Sequence, residues 1–188
     1  SKVIYDVDAT DVDGDKLTYS HSGTDAGQVT IDQDNGEIRL KSSADFETQP
    51  SYNFTVSVTD GLKKDSAGVI VSLTDSENVQ VTVTDINEKP VVTSGSTASV
   101  DENMPTSTVV YDASGSDVDG DNITFSLGGT DAAYFNIDAD DGEVRLKASA
   151  DYETKTSYDF TVIATDDGPA PHVANLPSDP KSVTLSVI

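Results

Sequence analysis

Apolar residues recur at every second position through most of the chain. The clearest runs are Val3/Tyr5/Val7, Tyr52/Phe54/Val56/Val58, Val79/Val81/Val83, Tyr158/Phe160/Val162/Ala164 and Val183/Leu185/Val187. That period predicts half-buried β-strands, because successive side chains of a strand point to opposite faces. Asp34-Asn35-Gly36-Glu37 and Asp140-Asp141-Gly142-Glu143 read as hairpin turns, since Gly and Asn accept a positive φ. No segment sustains a helical period. About seven short strands per repeat, with turn signals every 8–12 residues or so, predict an all-β chain of two tandem Greek-key, immunoglobulin-like sandwiches.

The two sandwiches follow from an internal duplication. The stretch that opens DVDGDKLTYS at Asp11 returns as DVDGDNITFS at Asp117, and ADFET at Ala44 returns as ADYET at Ala150. A repeat of that length is a domain rather than a solenoid unit. The expected domains are 1–88 and 89–188, joined by the short linker Thr84 to Pro90, with Pro90 unable to continue a strand ladder. The second repeat opens with Val91 to Pro105, which has no counterpart ahead of Ser1, so the first repeat is expected to lack its opening strand. An insertion, Gly61 to Glu77, carries its own Val69/Val71/Leu73 alternation and is a candidate to fold back over that gap. The second repeat has instead Asp167 to Lys181, rich in Pro and containing His172. A start in mid-pattern and an apolar last residue, Ile188, suggest a piece of a longer array.

Charge narrows the chemistry. The chain has 188 residues, 34 acids against 11 bases and a net charge of −23, which opposes binding to nucleic acid or an anionic membrane. No apolar run is long enough to insert in a bilayer as a helix, and there is no cysteine for a disulfide or zinc-thiolate site. Two carboxylates about 4 Å apart repel by roughly 1 kcal/mol in water and about 4 kcal/mol at a surface-like dielectric, so clustered acids need a counter-cation. A solubilising acidic coat would scatter acids, whereas here they recur at fixed offsets. A calcium ion wants about six to eight oxygens, more than any single segment supplies. The acids fall into loop groups: Asp11/Asp13, Asp45/Glu47, Asp60, Asp85/Asn87/Glu88, Glu102, Asp117/Asp119, Asp151/Glu153 and Asp166. An EF-hand loop is disfavoured because Lys16 and Asn122 stand where its glycine would be. Asp15 and Asp121 read equally as turn formers or ligands.

These motifs resemble those of tandem cadherin repeats: Asp-Glu102-Asn, Ala-Asp45-Phe-Glu47 and Ala-Asp151-Tyr-Glu153, Asp117-Val-Asp119-Gly, Ala-Thr-Asp166, and the linker Asp85-Ile-Asn87-Glu88-Lys-Pro90. The resemblance implies Ca2+ as cofactor, held at the inter-repeat junction by Asp45, Glu47, Asp85, Asn87, Glu88, Asp117, Asp119 and Asp166. By the same resemblance Glu102, Asp151 and Glu153 would serve a following junction, and Asp11, Asp13 and Asp60 a preceding one. The linker is one residue short of the animal pattern, and Lys89 stands where an acidic or amide ligand is expected. Fewer than three ions per junction are therefore expected, and the Glu88-Lys89-Pro90 sequence looks more like bacterial cadherin-like repeats.

Two functions follow as expectations. The first is a calcium-rigidified adhesion or spacer module of a secreted or cell-surface protein, with like repeats or another surface protein as partner and weak self-association through the open first-repeat edge. The alternative is a calcium-dependent carbohydrate-binding module with a polysaccharide partner. Its one candidate contact is Tyr134, which alternation from Phe135 and Ile137 turns outward; the absence of Trp weighs against it. An enzyme is not expected, because no nucleophile lies beside a base in a repeated motif: His21 aligns with Leu127 and His172 has no partner.

Overall fold

The computed structural model describes residues 2–168 and 175–188; His172 lies outside them. The chain divides into two compact units, Ser1–Asp85 and Ile86–Ile188, so residues 86–88 fall with the second. Both are β-sandwiches.

In the first unit, β1 (Val3–Asp6), β4 (Glu37–Leu40) and β3 (Val29–Ile31) form one antiparallel sheet in the order β1-β4-β3. The opposing sheet has the order β2-β5-β8, from Thr18–Ser22, Ser51–Thr59 and Thr74–Thr82. Alternation along β5 buries Tyr52, Phe54 and Val56 against Val29, Ile38 and Val79. The tight β3–β4 turn needs its glycine: Gly36 has φ +79°, and a Cβ there would meet the Val7 carbonyl oxygen at 3.0 Å.

The insertion forms a small hairpin, β6 (Lys63–Lys64) on β7 (Ile70–Val71), rather than folding back over the core. Its apolar residues Leu62, Val69, Ile70 and Leu73 remain exposed, so it covers no gap. The insertion is also shorter than the sequence implies, because Thr74–Glu77 already belongs to β8.

The second unit repeats this plan and adds to it. Sheet β11-β15-β14 comprises Tyr111–Asp112, Glu143–Leu146 and Phe135–Ile137. The opposing sheet is β10-β17-β16-β13, from Thr97–Val100, Lys181–Val187, Ser157–Asp166 and Ile123–Gly128. Strand β10 runs parallel to β17, pairing Ala98 with Leu185. A short strand β9 (Val91–Val92) pairs with β12 (Gly115–Ser116). Val92 and Val100 thus join a core built on Phe135, Phe160, Val162 and Leu185. Tyr111 and Phe135 pack on Phe160 with ring centroids 5.7 and 4.7 Å apart.

In the first unit, among the described residues, no strand stands where β10 stands in the second; β8 pairs only with β5. Two 3-10 turns, Ala26–Gln28 and Ala132–Tyr134, precede β3 and β14 at matching positions.

Candidate metal centre

In the second unit the acids gather where β12 leads into β13. Asp117, Asp119 and Asp121 alternate along an extended loop, which turns their side chains inward and leaves Val118 exposed. The Asp119 N–H donates to Asp117 Oδ1 at 2.9 Å, and Asp119 Oδ2 accepts the Glu88 N–H at 2.9 Å. Each oxygen used in this way fixes its carboxylate so that the other turns to a shared point. Asp117 Oδ2, Asp119 Oδ1 and Asp121 Oδ2 are all shielded from solvent and accept no hydrogen bond from any described residue.

The three side chains bring carboxylate oxygens within 4.8 Å of one another. Oxygens about 2.4 Å from one calcium ion can be no more than about 4.8 Å apart, so the cluster has the span of a shared cation site. The electrostatics agree. Burial first, then repulsion from Asp117, Asp167, Asp119 and Asp166, pushes the Asp121 carboxyl above its ordinary range. A divalent ion bound there would remove that repulsion.

Asp166 ends β16 as a buried acid, 2% exposed, continuing the inward alternation of Val162 and Ala164. Its Oδ1 accepts the Leu176 N–H at 2.9 Å and its Oδ2 accepts the Asn87 side-chain amide at 3.1 Å. Hydrogen bonds therefore link Asn87 with Asp166, and Glu88 with Asp119 and Asp117, all of them within the second unit. Asp121 was ambiguous in the sequence and belongs with them; its signal was the continued every-second-residue spacing of the acids. Lys89 takes no part and lies 3.6 Å from exposed Asp179.

In the first unit Glu47 and Asp85 bring carboxylate oxygens within 4.8 Å of each other. Asp45 is held differently. Its two oxygens accept the Thr48 N–H and hydroxyl, each at 3.0 Å, which lowers its pKa with the backbone bond as the main cause. Asp151 repeats this with Thr154, its oxygens taking bonds of 3.3 and 2.8 Å, and it groups with Glu102 and Glu153. Asp11, Asp15 and Asp60 form a further group.

Tyr134 is exposed, as expected, but for another reason: it sits in a 3-10 turn rather than a strand. Its ring packs edge-on against Tyr158 at 5.4 Å and carries the Lys155 ammonium 5.6 Å from its centroid. A face occupied by a lysine is a poor platform for a sugar.

Tandem β-sandwiches that gather carboxylates at their loop ends define a modular, all-β class of protein. The Cadherin domain family model matches residues 1–87 and 96–187. The chain belongs to the cadherin family. It is 37% identical over 166 residues to human Protocadherin Fat 4, and 33% identical over 168 residues to the Drosophila melanogaster Fat-like cadherin-related tumor suppressor homolog. These alignments cover 86% and 85% of this chain but only 3% of each relative. Among solved structures, human Protocadherin-24 EC1-2 superposes with a TM-score of 0.76 at 26% identity, covering 98% of this chain and 87% of that one. Cadherin ectodomains are extracellular, and so is this module. Among the described residues no helix is long and apolar enough to cross a membrane.

The comparisons correct two expectations. The likeness runs to animal cadherins, here human and fly, and not to the bacterial type that Glu88-Lys89-Pro90 suggested. The carbohydrate-binding alternative receives no support from relatives that are cadherins, nor from a Tyr134 ring capped by Lys155.

Proposed function

We propose that the chain is a calcium-rigidified adhesion and spacer module. Cadherin domains in general bind calcium, and the observation that carries the reading for this chain is the trio of shielded, donor-free oxygens on Asp117, Asp119 and Asp121. Carboxylates are left so in a folded protein only at a cost that a cation removes. Bound calcium would supply the positive charge that lets these acids remain ionised at close quarters.

Around that centre, Asn87 and Glu88 are held by Asp166 and Asp119. We propose that Asp45, Glu47 and Asp85 complete the ligand set from the first unit's side, making calcium the tie between repeats. The partners of such a module are like repeats or another surface protein, in keeping with the self-association of cadherin homologues. A catalytic role is not part of this reading.

Calorimetric titration with calcium tests it. The wild-type chain is expected to bind, and Asp119→Ala to weaken the tightest site by at least about tenfold. Asp13→Ala, at the matching position of the first unit, is expected to leave that site unchanged. No binding by the wild type, or equal binding by Asp119→Ala, refutes the reading.

A further inference from the structure

The loop that matches Asp117–Asp121 in the first unit carries the same acids with a different counter-charge. Asp11, Asp13, Asp15 and Asp60 stand in the first repeat where Asp117, Asp119, Asp121 and Asp166 stand in the second. Asp11 Oδ1 accepts the N–H groups of Asp13 and Asp15, each at 2.9 Å, and Asp60 Oδ1 accepts the Leu73 N–H at 2.8 Å. These bonds give the acids a comparable frame, since Asp166 takes the Leu176 N–H in the same way.

The difference is Lys63. It lies in β6 of the hairpin inserted in the first unit, and its ammonium meets Asp15 Oδ2 directly and lies 3.6 Å from Asp13 Oδ2. The hydrogen bond to Asp15 holds the Lys63 pKa above its ordinary value, helped by the fields of Asp15, Asp13 and Asp11. In the second repeat the segment Asp167 to Pro180 contains no lysine or arginine. Among the described residues no cationic side chain pairs with Asp117, Asp119 or Asp121, and Asp121 is under net repulsion. The duplication holds the acid framework fixed while the cation changes.

We propose that Lys63 is a tethered counter-ion: it neutralises the Asp13–Asp15 end of the first unit and competes there with a divalent cation. That end is then ordered without metal, while its duplicate at Asp117–Asp121 takes a metal ion. The inference rests on the reading of Asp117, Asp119 and Asp121 as cation ligands. Its chemistry is simple. An ammonium offers a single charge and three donors, so it satisfies two carboxylates but gives way where a doubly charged ion can gather more oxygens.

Manganese(II), a hard oxygen-seeking ion that broadens nearby amide resonances, separates the two ends in one spectrum. In the wild type, low manganese is expected to broaden the amides of residues 117–121 while sparing 11–15. Lys63→Met keeps the stem and removes the charge, and broadening is then expected at both ends, with affinity at residues 11–15 raised about fivefold or more. Lys63→Arg, which keeps the charge, is expected to spare residues 11–15 as the wild type does. Broadening of 117–121 alone in Lys63→Met overturns the role of Lys63 and leaves the calcium reading standing. Equal broadening of 11–15 in wild type and Lys63→Met also overturns it. Broadening at neither end in either protein overturns both.

Discussion

Asp25 and Asp131 repeat at the same offset as the clustered acids of the loops but do a different job. Asp131 Oδ2 accepts the Asp159 N–H at 2.8 Å while the Asp131 N–H donates to the Asp159 carbonyl at 2.9 Å; Asp25 makes the same pair with Asn53 at 2.7 and 3.1 Å. Each clamps the 3-10 turn to the central strand of its sandwich. The acid is needed because β16 at that point has a backbone donor that the neighbouring strand does not reach. The Asp159 N–H bond, with Lys155 adding to it, holds the Asp131 pKa below its ordinary value against an opposing effect of burial. An acid whose folded pKa is depressed stabilises the fold above its unfolded value of about 3.9, and that contribution is lost as pH falls through the folded value. Asp131→Ala is therefore expected to cost about 1.5–3 kcal/mol in urea unfolding at pH 7, with the difference from wild type shrinking in strong acid. A cost independent of pH would show that the carboxylate charge is not what holds the turn.

At the residue scale, then, the repeat revealed which acids matter but not why each does. Asp117, Asp119 and Asp166 were legible as one cluster from their motifs, whereas Asp25 and Asp131 carry no local signal, since their partners lie 28 residues away across the sheet. Asp121 hid behind the turn-forming habit of Asp-Gly-Asp. Lys63 was invisible as a counter-ion because only the hairpin brings it to Asp15.

At the scale of elements, alternation identified the strands that pack on both sides of a core. Phe54, Val56, Phe160 and Val162 are all buried, as that pattern requires. It failed where a strand leaves the core: Thr74–Glu77 is wholly exposed, so nothing in its polarity marks it as strand, yet it pairs with β5 through Ser57–Ser76 and Thr59–Thr74. The hydroxyls of these pairs meet at 2.8 and 3.1 Å, a polar zipper that needs no hydrophobic period. The opening strand of the second unit shows what the first unit's edge accepts. β10 caps β17 in parallel and brings Val100 into the core, while β8 presents an unpaired edge beside Val7, Val58 and Val79 among the described residues. Exposed edges pair with other chains. Sedimentation velocity is expected to show weak, concentration-dependent association of the chain, suppressed by a peptide spanning residues 91–102. A strict monomer at the highest concentration, unaffected by that peptide, would rule out edge-driven association.

At the scale of the whole molecule, two sandwiches of one ancestry share a net charge of −23. A charge of that size opposes association with other polyanions and favours cations at the clustered acids of the loop ends. The two ends differ by residue: Lys63 meets Asp15 in the first unit, while Asp121 of the second stands under repulsion from neighbouring carboxylates. The central claim is that calcium ties the repeats together, and small-angle scattering of the chain in millimolar calcium against chelator tests it most directly. The account predicts a narrower, more rigid distance distribution in calcium, lost on adding chelator and lost in Asp119→Ala. A maximum dimension and flexibility unchanged between the two conditions would contradict it.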